Sequence, residues 1–292
     1  MRCSAFILSI LFAPIYACAT APDWFPLEWR EGAAFAGAPV EKLGLLLPAK
    51  IDGVDCLIQV DTGANGRFVW HKASDGVGDK RTGVPVVVGN ISLTVDASPT
   101  QLAGVHSGKC RQQVQATVGN GFFEHGTLTL DLPRSRFSFV AGPTLAQDTT
   151  AQPLLYARWN QVGGHTLVEV RLPSGKTGYA LLDTGSARFG MNALSTDDWG
   201  SLTGGVPLQK SDSVSEFKTM SWGKQISCYQ TMATGPLEIG GSLRLPQYQV
   251  SYCASEAFKP PQKLLGVLGL RHLKEHVLVL DYLSLRWKLL AK

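Results

Sequence analysis

Leu57-Ile58-Gln59-Val60-Asp61-Thr62-Gly63-Ala64 is an apolar strand driven straight into an acid and a turn. The design returns at Ala180-Leu181-Leu182-Asp183-Thr184-Gly185-Ser186, with the two threonines 122 residues apart. One Asp-Thr-Gly is weak evidence, because Asp and Gly are common in the polar turns that end strands. Two of them, each closing an apolar strand, point to two lobes that each present one carboxylate.

Working outward, the chain around the two motifs repeats as well. Leu43–Ile51, a turn at Asp52-Gly53 and Cys56–Asp61 match Leu167–Leu172, a turn at Ser174-Gly175 and Thr177–Asp183, and each acid is followed by Arg-Phe, at Arg67-Phe68 and Arg188-Phe189. Pro85–Leu93 and Pro236–Arg244 read as hairpins with two-residue Gly-Asn and Gly-Gly turns. From Gly119 to Phe137 the chain matches Gly269 to Trp287 without a gap, Asp131 falling on Asp281 and Arg136 on Arg286. Duplication explains this order, and the expected fold is mostly β, with two homologous, barrel-like lobes over residues 43–140 and 153–292. Residues 141–152 read as a linker. Residues 20–42 have no counterpart in the second copy, yet Trp24, Phe25, Leu27 and Trp29 are too apolar for a free tail, so this segment should pack on the lobes.

Residues 1–19 carry Arg2, an apolar run and Ala17-Cys18-Ala19, the pattern of a secretory signal peptide. Lipidation at Cys18 is the alternative to cleavage. The run is too short to span a bilayer, and no other stretch comes close, so a secreted or periplasmic protein is expected. Charged residues are only 17% and glycine numbers 31, which favours short strands joined by tight turns. Net charge is +4 with no Lys/Arg cluster interleaved with aromatics, so nucleic-acid binding has no footprint. Of the pairings open to Cys56, Cys110, Cys228 and Cys253, one disulfide within each repeat, Cys56–Cys110 and Cys228–Cys253, is favoured, with buried free thiols as the alternative.

If the two acid-bearing strands meet, Asp61 and Asp183 come within hydrogen-bond distance. Like charges so close cannot both ionise, and one proton is shared. The ionised acid can take a proton from a bound water while the protonated one donates to a carbonyl, and neither metal nor cofactor is needed. Gly63 and Gly185 would let the backbone turn and aim amides at the carboxylates, and Thr62 and Thr184 would send hydroxyls across the interface. Ser186 can donate to its neighbouring carboxylate and Ala64 cannot, so Asp183 should be the more readily ionised acid.

These motifs, with the apolar-apolar-Gly segment Val267-Leu268-Gly269 and its less apolar first-lobe counterpart Thr117-Val118-Gly119, resemble a retropepsin-like aspartic protease in duplicated form, and hence the bilobed pepsin-like arrangement. The resemblance implies a cleft between the lobes, peptide or protein substrate bound extended, and a monomer, duplication making a dimer unnecessary. A protease-fold binding module that does not cleave its partner is the alternative. Pepsin-like enzymes cover the cleft with a tyrosine-bearing hairpin of the first lobe, but no Tyr lies between Asp61 and Gly119. The longer second repeat offers Ser213–Thr231 instead, turning at Trp222. His272-Leu273-Lys274-Glu275-His276 fits an H-x-x-E-H zinc pattern, yet lacks a third ligand well downstream and reads as a connector. His71, His106, His125 and His165 are scattered singly and read as surface or turn residues.

Overall fold

The computed structural model describes residues 22–33, 39–72, 80–158, 162–221, 224–254 and 263–291, so the stretch read as a signal peptide lies outside it. Strand Val40–Ile51 folds back on Val54–Val60, with Ile51 opposite Val54. Both turn residues between them, Asp52 and Gly53, have positive φ, as a two-residue hairpin in a twisted sheet requires. Gly164–Arg171 and Thr177–Leu182 repeat the pair in the second half. Each acid-bearing strand then gains a parallel neighbour. Val60 pairs with Val118 and Leu182 with Leu268, and the amides of Asp61 and Asp183 donate to those two carbonyls at 3.0 and 2.9 Å.

The two lobes are thus two separate sheets, one of seven strands and one of eight, and a six-stranded antiparallel sheet joins them. Its central strands are Gly126–Asp131 and His276–Asp281. Thr129 lies opposite Val279, its own counterpart in the repeat, so an approximate twofold axis runs between those residues. The outer strands obey the same symmetry. Phe25 and Pro26 pair with Phe137 and Arg136, Gln152 and Pro153 with Trp287 and Arg286, and Leu27 and Leu154 donate to the carbonyls of Ser135 and Leu285, both at 2.9 Å. The N-terminal segment therefore does have a partner in the second copy. The likeness is mainly one of backbone pairing, since Trp-Phe-Pro-Leu and Ala-Gln-Pro-Leu have only Pro-Leu in common. It also packs as its apolar residues require, with Leu27 buried and the Phe25 ring 5.5 Å from that of Phe137.

One turn departs from expectation. The first-lobe hairpin closes with two residues, Val88 facing Ile91, but in the second Ile239 faces Leu243 and the turn has three, Gly240-Gly241-Ser242. The first two of these have positive φ, and the indole of Trp287 lies against Gly240 as Phe25 and Phe137 lie against Gly89 in the first lobe. The four cysteines join within lobes, Cys56 to Cys110 and Cys228 to Cys253. A single core runs through both lobes, its largest fully buried side chains being Trp199, Trp287 and Tyr248.

Asp281 ties the linker down. Its fully buried carboxylate accepts from the amides of Thr144 and Leu145, both at 2.8 Å, and from those of Leu283 and Ser284 at 3.1 and 2.9 Å. Burial pushes its pKa up, but the bonds from Ser284, Leu145 and Thr144 outweigh burial and the net shift is down. A depressed carboxylate contributes stability above its unfolded pKa and loses it as pH falls through the folded value. Asp281→Ala should therefore cost about 3 kcal/mol near neutrality by orphaning buried amides. Urea unfolding of both proteins should show the gap closing below the ordinary carboxylate pKa.

Candidate active site

The two Asp-Thr-Gly turns meet at the twofold axis and grip each other through their threonines. Thr62 Oγ1 donates to the Leu182 carbonyl at 2.7 Å and accepts the Thr184 amide at 3.0 Å. Thr184 Oγ1 donates to the Val60 carbonyl at 3.0 Å and accepts the Thr62 amide at 3.0 Å. Both threonines are buried, so four bonds shielded from water fix the neighbouring acids.

Asp61 and Asp183 then face and hydrogen-bond each other. Each carboxylate also accepts from its own turn. Asp61 Oδ1 takes the amides of Gly63 at 2.8 Å and Ala64 at 3.2 Å, and Asp183 Oδ1 takes that of Gly185 at 2.8 Å. The glycines serve a purpose beyond the tight turn expected of them, since neither is among the residues at positive φ. A Cβ on Gly63 would stand 2.7 Å from the Asp183 carboxyl carbon, and one on Gly185 would stand 2.6 Å from that of Asp61. Glycine at each site makes room for the opposite lobe's acid.

The pair is not electrically symmetric. Ser186 Oγ donates to Asp183 Oδ2 at 2.6 Å, a bond Ala64 cannot offer Asp61. Burial first, then the charge of Asp183 and the bond to it, push Asp61 well above the usual carboxylate range, against the pull of the Gly63 and Ala64 amides.

Two residues that sequence reasoning passed over complete the surroundings. Asn120 Nδ2 donates to the Thr62 carbonyl at 2.6 Å and to the Gly164 carbonyl at 2.8 Å, while its Oδ1 accepts from Tyr282 Oη at 2.8 Å. It thus ties the first-lobe turn to the second lobe. The available signal was a polar residue directly after Val118-Gly119, where the other copy has Leu270. His165, expected at the surface, is instead buried beside Asp183 and bonds the Gly63 backbone. Burial lowers its pKa against the pull of both neighbours, and it stands where the first repeat has Gly44, which left no pattern to find.

The other candidates separate from this centre. His272 Nε2 accepts the Gln249 amide at 3.0 Å, which occupies the lone pair a metal would take, and burial holds its pKa down at about 4. Trp222 lies outside the described residues. The stem of its hairpin, Ser215–Ser221 paired with the strand Lys224–Ile239, is anchored near the dyad by Phe217 stacked on Phe189 at 6.4 Å.

The chain matches no protein-family model and no curated protein. Among solved structures it is similar to the aspartic proteinase from Irpex lacteus, with a TM-score of 0.49 and 12% identity, over 93% of this chain and 98% of that one.

An acid whose folded pKa is raised stabilises the protein below its unfolded pKa, and that stability is lost as pH rises through the folded value. Asp61→Asn, which removes the forced ionisation, should melt above the wild type at pH 8 and lose that advantage at pH 4. Thermal unfolding across this range checks it, and an advantage independent of pH would contradict it.

Proposed function

We propose that this protein is an exported aspartic endopeptidase. The observation that carries the reading is the paired carboxylates, one from each repeat, each seated against a glycine that leaves it room. In this reading Asp183 is the ionised acid that takes a proton from a bound water. Asp61 holds the proton that polarises the scissile carbonyl, and attack gives a tetrahedral intermediate that collapses with the proton passed to the leaving amine. Thr62, Thr184, Gly63 and Gly185 hold the geometry, and Ser186 favours the charged form of its neighbour. Two disulfides fit an oxidising compartment, and no helix among the described residues is long and apolar enough to cross a membrane. An extended peptide would lie across the dyad, with the Ser213–Thr231 hairpin as its cover.

Hydrolysis of a mixed peptide library from pH 3 to 7 tests this, with and without pepstatin. Cleavage should appear in the wild type and fall at least a thousandfold in Asp61→Asn and in Asp183→Asn. Folded but inert wild type would leave a binding module in its place. Ser186→Ala removes a donor to the ionised acid, so the acid limb of the kcat/KM profile should move to higher pH. Ala64→Ser adds a donor to the protonated acid and should draw in the alkaline limb, whereas an unchanged profile in both would refute the division of roles. As cover, the hairpin should shield Trp222 when pepstatin binds. Acrylamide quenching of the wild type, with Trp222→Phe as the blank, reads this, and equal quenching with and without inhibitor would rule the cover out.

A further inference from the structure

A cavity of about 300 Å³ opens between the lobes beside the turn that carries Asp183. Glu31 lines it from the N-terminal strand Glu28–Ala33, Glu41 and Lys42 from the start of Val40–Ile51, and Arg188, Arg271 and Lys274 from the second lobe, so cations outnumber anions by four to two. Glu41 is already shared by two arginines, Arg271 Nη1 at 3.0 Å and Arg188 Nε at 3.5 Å. Glu31 stands opposite Lys42 across the strand pair, and Lys42 Nζ lies 4.3 Å from the Trp29 ring centroid.

Arg188 is the unusual member. Its side chain is only 10% exposed, and its guanidinium lies 5.1 and 4.7 Å from the ring centroids of Phe189 and Phe217. Its Nε and Nη1 are buried and make no hydrogen bond of good geometry among the described residues, Nε meeting the Glu41 carboxylate only as an ion pair at 3.5 Å. A guanidinium has five N–H donors in a fixed fork suited to a carboxylate, and burying it with donors unmatched is costly. Two arginines share one carboxylate, which leaves the pocket with positive charge to spare for a second.

Its position says where the acceptor comes from. Ala187, in the same wall, is four residues from Asp183 and directly follows Ser186, whose hydroxyl bonds that acid. Four residues of chain reach at most about 14 Å. An extended peptide advances about 3.3 Å per residue, so the pocket wall lies within the span of about four substrate residues from the dyad.

We infer that this pocket receives a carboxylate of the substrate, an Asp or Glu side chain about four residues or fewer from the scissile bond, and makes the protein selective for acidic peptides. The inference rests on the endopeptidase reading for its link to cleavage. The test uses decapeptides that each carry one Glu at a different position, and matching peptides with Gln. At one position near the cut, kcat/KM should favour Glu by about tenfold, the worth of a charge-assisted bond. The ratio should fall to near one in Arg188→Gln and in Arg271→Gln. Arg271 is 36% exposed, so its variant guards against a folding defect in the other. Anisotropy of the fluorescein-labelled peptides on Asp61→Asn, with and without Arg271→Gln, reads the same discrimination without turnover. Cleavage with no Glu-over-Gln difference in rate or binding, or a difference that survives Arg271→Gln, overturns the pocket and leaves the endopeptidase standing. Glu-selective binding lost in Arg271→Gln, with no peptide cleaved, keeps the pocket and overturns the endopeptidase. No discrimination in binding and no cleavage overturns both.

Discussion

Two threonine hydroxyls hold the halves of this molecule in register, and the acids take their places from them. Each hydroxyl donates to the opposite strand and accepts from the opposite turn, so a shift of one lobe against the other breaks all four bonds in a place water does not reach. The carboxylates stand one residue away on the same two turns. Pressing two acids together is unfavourable, and the cost is borne by the grip beneath them and by the amides that each turn aims at its own carboxylate.

Symmetry sets up the site, and departures from it make the surroundings of the two acids unequal. A hydroxyl follows the glycine in one copy and a methyl in the other. Asn120 reaches from the first lobe to the Gly164 carbonyl and Tyr282 hydroxyl of the second, and its counterpart Leu270 makes no such reach. His165 fills a place that is Gly44 in the other lobe. Each change lies within the shell of residues around the acids, while the sheet that joins the lobes keeps its pairing down to matching positive φ at Ser135 and Leu285.

The β architecture and the meeting of Asp61 with Asp183 were legible in the sequence because both rest on patterns that occur twice. The same holds for the in-lobe disulfides. What stayed hidden occurs once or lives in the backbone. Phe25-Pro26 and Gln152-Pro153 pair with counterpart strands, yet only a Pro-Leu dipeptide is common to the two segments. The need for Gly63 and Gly185 is set by an acid far away in sequence, which no local turn rule sees. Asn120 and His165 each stand opposite an unlike residue in the other copy, so comparing the repeats passes over them.

The central pair of strands in the shared sheet, Gly126–Asp131 and His276–Asp281, has a consequence for how the chain assembles. Because each strand faces its own copy, the contact is self-complementary in the manner of a two-subunit interface. A lobe without its sibling would present an open edge that fits the same edge on any other molecule. The short crossing between the lobes keeps the correct edge at high effective concentration. The route to misassembly built into this fold is therefore exchange of whole lobes between chains, and crowding during synthesis is where the tether matters most.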